Sequence, residues 1–102
     1  MAKFVLAYRG GSMAETPEEQ EAVMQAWIGW FGELGPAVVD GGNPFGPSTS
    51  VRPDGSSGEA PSALTGYSVV EAQDLAAAAV LAKGCPVLGA GAAVDVYEAL
   101  PM

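Results

Sequence analysis

The sequence has no histidine and a single cysteine, Cys85. Without histidine the chain lacks the commonest metal ligand and the usual general base at neutral pH, which excludes Cys/His and Ser/His/Asp mechanisms. One cysteine forms no internal disulfide. Positive charge is scarce as well: four Lys and Arg stand against twelve Asp and Glu, a formal net charge of −8. That balance repels phosphate backbones and anionic lipid, so neither nucleic acid nor a membrane is an expected partner. The longest apolar run falls far short of the roughly 20 residues that cross a bilayer. No basic, apolar leader with a small-residue cleavage site opens the chain, and a cytoplasmic location is the expectation. What the chain does have is apolar matter. With 49% hydrophobic residues over 102 positions and a mean hydropathy of +0.23, it can fill one core and is too short for two ordinary domains. Residues 1–102 are read as a single domain.

Lys3 to Arg9 is a short run of β-branched, aromatic and aliphatic residues bounded by Gly10-Gly11, and it predicts a strand. Phe4, Leu6 and Tyr8 point one way and Val5 and Ala7 the other, which suits a central strand covered on both sides. Thr16-Pro17-Glu18-Glu19 opens a helix, with Thr16 as cap, Pro17 in the first position and Glu19 closing a capping box. Val23, Met24, Trp27, Phe31 and Leu34 recur at spacings of three and four and predict its buried stripe, with Ile28 and Trp30 at the margins. Gly35-Pro36 ends the helix. Ala37 to Asp40 predicts a short strand, and the glycines and prolines of 41–47 keep it at a sheet edge broken by a bulge or turn.

Ser48 to Pro61, with Pro53-Asp54-Gly55, has the composition of an exposed hairpin loop. Ala63 to Val70 predicts the third long strand, with Leu64 and Val70 on one face and Tyr67 and Val69 on the other. An alanine-rich helix follows from about Ala72 to Lys83, with a thin stripe of Leu75, Ala79 and Ala82 and Gly84 as its C-terminal cap. After Cys85-Pro86 and the turn at Gly89 to Gly91, Ala93 to Glu98 alternates as a last strand. The order β-α-β-β-α-β is the split βαβ arrangement: an α+β, ferredoxin-like fold, a four-stranded antiparallel sheet with two helices on one face. The uncovered face carries Val5, Ala7, Tyr67, Val69 and Tyr97, and a second copy packed on it would complete a homodimer.

Several segments carry a resemblance. Tyr8-Arg9-Gly10-Gly11-Ser12-Met13, Thr16-Pro17-Glu18-Glu19-Gln20, Trp27 to Gly35, Asp40 with Gly42-Asn43-Pro44, Leu64-Thr65-Gly66-Tyr67-Ser68 and Lys83-Gly84-Cys85-Pro86 together span nearly the whole chain. In these segments the sequence resembles the YCII-related (DGPF-type) family. The resemblance implies a ferredoxin-like fold and a homodimer of the dimeric α/β-barrel type, with a cleft between the sheet and the helices or the partner. The better-studied branch of that family carries a proposed His and Asp pair, on the first helix and just after the second. Here Met24 and Trp27 stand in the first place and Gly84-Cys85-Pro86 in the second, so both members are missing. Relatives often have histidine where this chain has Arg9 and Val87.

Each candidate residue has an ordinary alternative beside its functional reading. Asp40 and Asn43 flank Gly41-Gly42, where a carboxylate and an amide can meet a closely approached ligand; residues of these types also cap turns. Tyr8 and Arg9 end the first strand, at a pocket rim. Arg9 can hold a carboxylate or phosphate in bidentate fashion or pair with a surplus acid of its own chain. Tyr8 can orient a substrate through its hydroxyl or bond a neighbour. Trp27 and Phe31 read as core, and Trp30 is singled out as a pocket wall. Cys85 follows a helix C-terminus, where the dipole raises a thiol pKa, so it is not read as a nucleophile. No glycine pair spells a phosphate loop and no carboxylates cluster with metal-ligand spacing, so neither cofactor nor metal is expected. The function expected is the binding of a small organic molecule in a cleft of a homodimer, lined by Tyr8, Arg9, Trp30, Asp40, Asn43 and Tyr67, in a binding protein or a cofactor-independent enzyme. The alternative is a non-catalytic regulatory or protein-interaction module that uses the sheet face.

Overall fold

The structure is a computed structural model that describes residues 1–10, 15–60 and 64–101. Gly11, Pro61 and Ala63, named above as element boundaries, lie outside the described residues. The elements are β1 (Ala2–Gly10), α1 (Pro17–Leu34), β2 (Val38–Asp40), β3 (Ser50–Val51), β4 (Ser57–Gly58), β5 (Leu64–Ala72), α2 (Leu75–Ala82) and β6 (Ala92–Ala99). Short 3-10 turns at Gly35–Ala37 and Pro86–Ala90 follow the two helices.

Four strands form an antiparallel sheet in the order β2-β5-β1-β6, so the first and third long strands are the central pair. With two helices this is an α+β arrangement compatible with a ferredoxin-like fold. The strands β3 and β4 form a separate two-stranded hairpin, closed by an Asx turn in which Asp54 Oδ1 accepts from the Ser56 N–H at 2.9 Å. The core lies on one sheet face, where Phe4, Leu6 and Tyr8 of β1 and Val70 and Ala72 of β5 meet Trp30, Ala78 and Ala82 of the helices. Among the described residues no helix is long and apolar enough to cross a membrane.

Local chemistry explains the element ends and some departures from the sequence expectations. Thr16 Oγ1 accepts from the Glu19 N–H at 3.1 Å, as an N-cap should. The Glu19 carboxylate reaches one residue past the cap and accepts from the Glu15 N–H, so the reciprocal half of the capping box is displaced. Helix α2 begins at Leu75, not Ala72, because Asp74 caps it, Oδ1 accepting from the Ala77 N–H at 2.8 Å. Its buried face is Ala78 and Ala82, while Leu75 is exposed. Gly84 does not take the left-handed backbone of a C-cap. It is small because a Cβ there would stand 3.1 Å from Trp30 Nε1. A register shift between Tyr8 and Arg9 pairs Leu64 with Arg9, which moves Leu64 to the face opposite Val70.

Candidate ligand-binding cleft

The stripe of α1 is rotated from the expected one. Trp30 is the buried residue of the helix, its Nε1–H donating to the Leu81 carbonyl oxygen at 3.3 Å and so tying α1 to α2. Trp27, Phe31 and Leu34 pack beside it half-buried, while Val23 and Met24 are exposed and have no core beneath them. Instead they overhang a cleft of about 500 Å³ between α1 and the sheet.

One wall is α1, through Gln20, Val23, Met24, Trp27 and Phe31, and Val87 of the second 3-10 turn adds to it. The opposite wall is Tyr8 of β1, Thr65 to Ser68 of β5 and the segment Gly41 to Pro44. The rings are set at angles: Trp27 meets Tyr8 edge-on, centroids 5.3 Å apart and planes at 69°, and lies 5.5 Å from Phe31. Glycine makes the space on the sheet side. Gly66 is the register partner of Tyr8, and a side chain there would press on the Asn43 carbonyl oxygen at 3.1 Å. Gly42 has φ +75°, and a Cβ on it would overlap the Tyr67 carbonyl. The edge segment therefore lies directly on β5, bonded through Tyr67 N–H to Asn43 O and Phe45 N–H to Thr65 O.

Beside Gln20, Asn43 and Thr65, the polar lining of the cleft includes a short chain of hydroxyls. Tyr8 Oη–H donates to Ser68 Oγ at 2.7 Å, and Ser68 Oγ–H donates to the Gly41 carbonyl oxygen at 2.7 Å. Among the described residues Ser68 is the fully buried polar residue, and these two bonds satisfy it. Burial pushes the Tyr8 hydroxyl pKa well above the ordinary tyrosine value, partly offset by the bond to Ser68 and reinforced by the neighbouring Cys85. Burial also raises the Cys85 thiol, against the opposing effects of the Val87 N–H and the Tyr8 hydroxyl. Both groups are neutral at physiological pH, and neither is an activated base or nucleophile. Among the described residues that line the cleft none is charged. Among the described residues no group of three or more His, Cys, Asp or Glu is placed to hold a metal ion.

Of the sequence candidates, Tyr8, Asn43 and Tyr67 line the cleft. Tyr67 contributes to the lining from the strand, but its side chain, in register with Ala7, turns to the open sheet face, and its ring stacks on Phe45, centroids 5.6 Å apart and planes at 17°. The structure places the other three elsewhere. Arg9 follows Tyr8 by one residue and so points to the opposite sheet face, where its guanidinium pairs with Asp95 at 3.0 Å and 3.2 Å. Asp40 makes the Asx turn that was its ordinary alternative, Oδ1 accepting from the Gly42 N–H at 2.8 Å. Trp30 is core, and Trp27 takes the pocket-wall role in its place. Sequence reading missed Ser68, Thr65, Met24, Val23, Gln20 and Val87. The signal for Ser68 was present: a serine between Gly66 and Val70 falls on the same strand face as a core valine and needs a partner there. No protein-family model matches the chain, and no curated protein sequence matches it.

Proposed function

We propose that the protein binds a small, largely apolar organic molecule in the cleft between α1 and the sheet. The observation that carries the reading is a space of about 500 Å³ walled by Tyr8, Trp27 and Phe31, with Val23 and Met24 overhanging it. A cavity of this size and lining suits one small ligand held by apolar contact and a few polar groups. We propose that the chain belongs with the YCII-related proteins, a ferredoxin-like dimeric α/β-barrel family, supported by the segments from Tyr8 to Lys83-Gly84-Cys85-Pro86 that resemble them.

We further propose that the working form is a homodimer packed through the open sheet face. Among the described residues no helix lies on that face, and Val5, Tyr67 and Val69 are half-exposed there while Tyr97 is 62% exposed. That same face favours a second reading, an interaction module whose partner is another chain. As to chemistry, a neutral tyrosine and a neutral thiol support binding more than proton abstraction, so any reaction would depend on the ligand's own reactivity.

Thermal melts against a panel of aromatic fragments test the binding reading, since a ligand that binds only the folded state raises the melting temperature. Stabilisation is expected from uncharged bicyclic fragments and not from charged or aliphatic ones. No stabilisation by any fragment would remove the cleft as a site. Sedimentation velocity of the wild type and Tyr97→Glu tests assembly: a dimer that the substitution converts to monomer is expected, and a wild-type monomer at high concentration would contradict it.

A further inference from the structure

The hydroxyls of the cleft have a fixed polarity, and it starts from a backbone carbonyl. Gly41 O has no hydrogen to give, so the Ser68 Oγ at 2.7 Å from it must be the donor. With its one hydrogen spent, Ser68 Oγ is the acceptor in its 2.7 Å contact with Tyr8, and the Tyr8 hydrogen is committed in turn. Thr65 is bound in the same sense, its Oγ1–H donating to the Tyr8 carbonyl oxygen at 3.3 Å. Tyr67, the fourth hydroxyl residue of the lining, is in register with Ala7 and so turns its side chain to the open sheet face. The other three, Tyr8, Ser68 and Thr65, all direct their hydrogens into the protein, and what these hydroxyls offer a ligand is oxygen lone pairs. Asn43 and Gln20 stand exposed in the lining, and each side-chain amide carries both donors and an acceptor, so neither favours one kind of ligand over the other. With no Lys or Arg among the described lining residues, an anion would give up its hydration with no cation to replace it.

Resting on the reading that this cleft is a binding site, we propose that it selects uncharged aromatic molecules bearing a hydroxyl or N–H donor, which donates to Tyr8 Oη or Thr65 Oγ1. The matching ether, which offers only an acceptor, would leave two sets of lone pairs facing each other. The matching carboxylate adds a buried charge to the same conflict.

Isothermal titration calorimetry with 2-naphthol, 2-methoxynaphthalene and 2-naphthoate, on wild type and two variants, tests this. The expected result is 2-naphthol binding about tenfold tighter than the ether, the scale of one hydrogen bond, with the carboxylate weaker still. In Tyr8→Phe the preference for the alcohol is expected to fall severalfold. In Ser68→Ala, which frees the Tyr8 hydrogen, the ether is expected to gain on the alcohol, and this variant serves if Tyr8→Phe fails to fold. Ether or carboxylate binding as tightly as 2-naphthol would overturn the selectivity and leave the cleft as a site. Heat from none of the three would overturn the site itself.

Discussion

Under α2 the covered face of the sheet meets alanine: Ala78 is fully buried and Ala82 nearly so. Under α1 the same face meets Trp27, Trp30 and Phe31, and the strands beneath carry Gly66, Ser68 and the Gly41-Gly42 edge. Short side chains on α2 let a helix settle against the strands with nothing left between. Large rings on α1, set edge to face and opposed by glycine, cannot interlock with a surface that has no side chains to offer, and a cleft remains. Both arrangements are apolar and both helices are well capped, so the difference lies in how side-chain volume is divided between helix and sheet. A filled half anchors the fold, and the hollow half is free to hold something else.

The largest test of this contrast is at the cleft edge. Gly42→Ala is expected to cost about 3 kcal/mol or more, from left-handed backbone strain and overlap with the Tyr67 carbonyl. Gly41→Ala, whose Cβ would meet the Phe31 ring at an ordinary 3.8 Å, should be tolerated, and urea unfolding of the two compares them. Next, Ala78→Leu on the filled side should cost about 1–3 kcal/mol by overpacking, whereas Val87→Leu, enlarging into the cleft, should cost less than about 0.5 kcal/mol. Equal losses in the same denaturant assay would show that the two halves are packed alike.

Two smaller effects depend on pH. Burial raises the folded-state pKa of Tyr8, so its contribution is complete below the ordinary tyrosine pKa of about 10 and is lost as pH rises from there towards the folded value. The stability gap between wild type and Tyr8→Phe should therefore narrow between pH 8 and pH 11. The Asp95 carboxyl is held low, chiefly by the hydrogen bond from Arg9, so its contribution exists above the ordinary carboxylate range and fades as pH falls through the lowered value. This pair is exposed and on the open face, and the loss in Asp95→Asn should be small, absent at low pH and reduced by salt.

The order of elements was legible because each has a local cause: the Thr16-Pro17 start, the Gly35 stop, the period-two alternation of β1 and the glycine-proline edge. The turn residues Pro53-Asp54-Gly55 marked 48–61 as an exposed loop, but the two-residue strands β3 and β4 that pair within it were not legible, because Ser50-Val51 and Ser57-Gly58 are too short to carry an alternation pattern. The site was only half legible. Trp27 and Trp30 sit three residues apart on one helix, so periodicity places both near the stripe and cannot say which of them faces the sheet; that depends on Gly84 and Leu81, far along the chain. Arg9 could have been placed correctly, since alternation from Phe4, Leu6 and Tyr8 already turns it away from the covered face. Asp40 and Asn43 could not be, because whether an Asx residue turns the chain or meets a ligand depends on tertiary neighbours.

Methyl-resolved NMR during a titration with 2-naphthol bears most directly on the hollow half as a binding site. Val23, Val87 and the Met24 Cε methyl line the cleft, whereas Leu75 and Val80 are exposed on α2. Saturable shifts at Val23, Met24 and Val87, with Leu75 and Val80 unmoved and one ligand bound per chain, are predicted. Shifts absent from those three methyls, or spread without saturation over α2 as well, would contradict it.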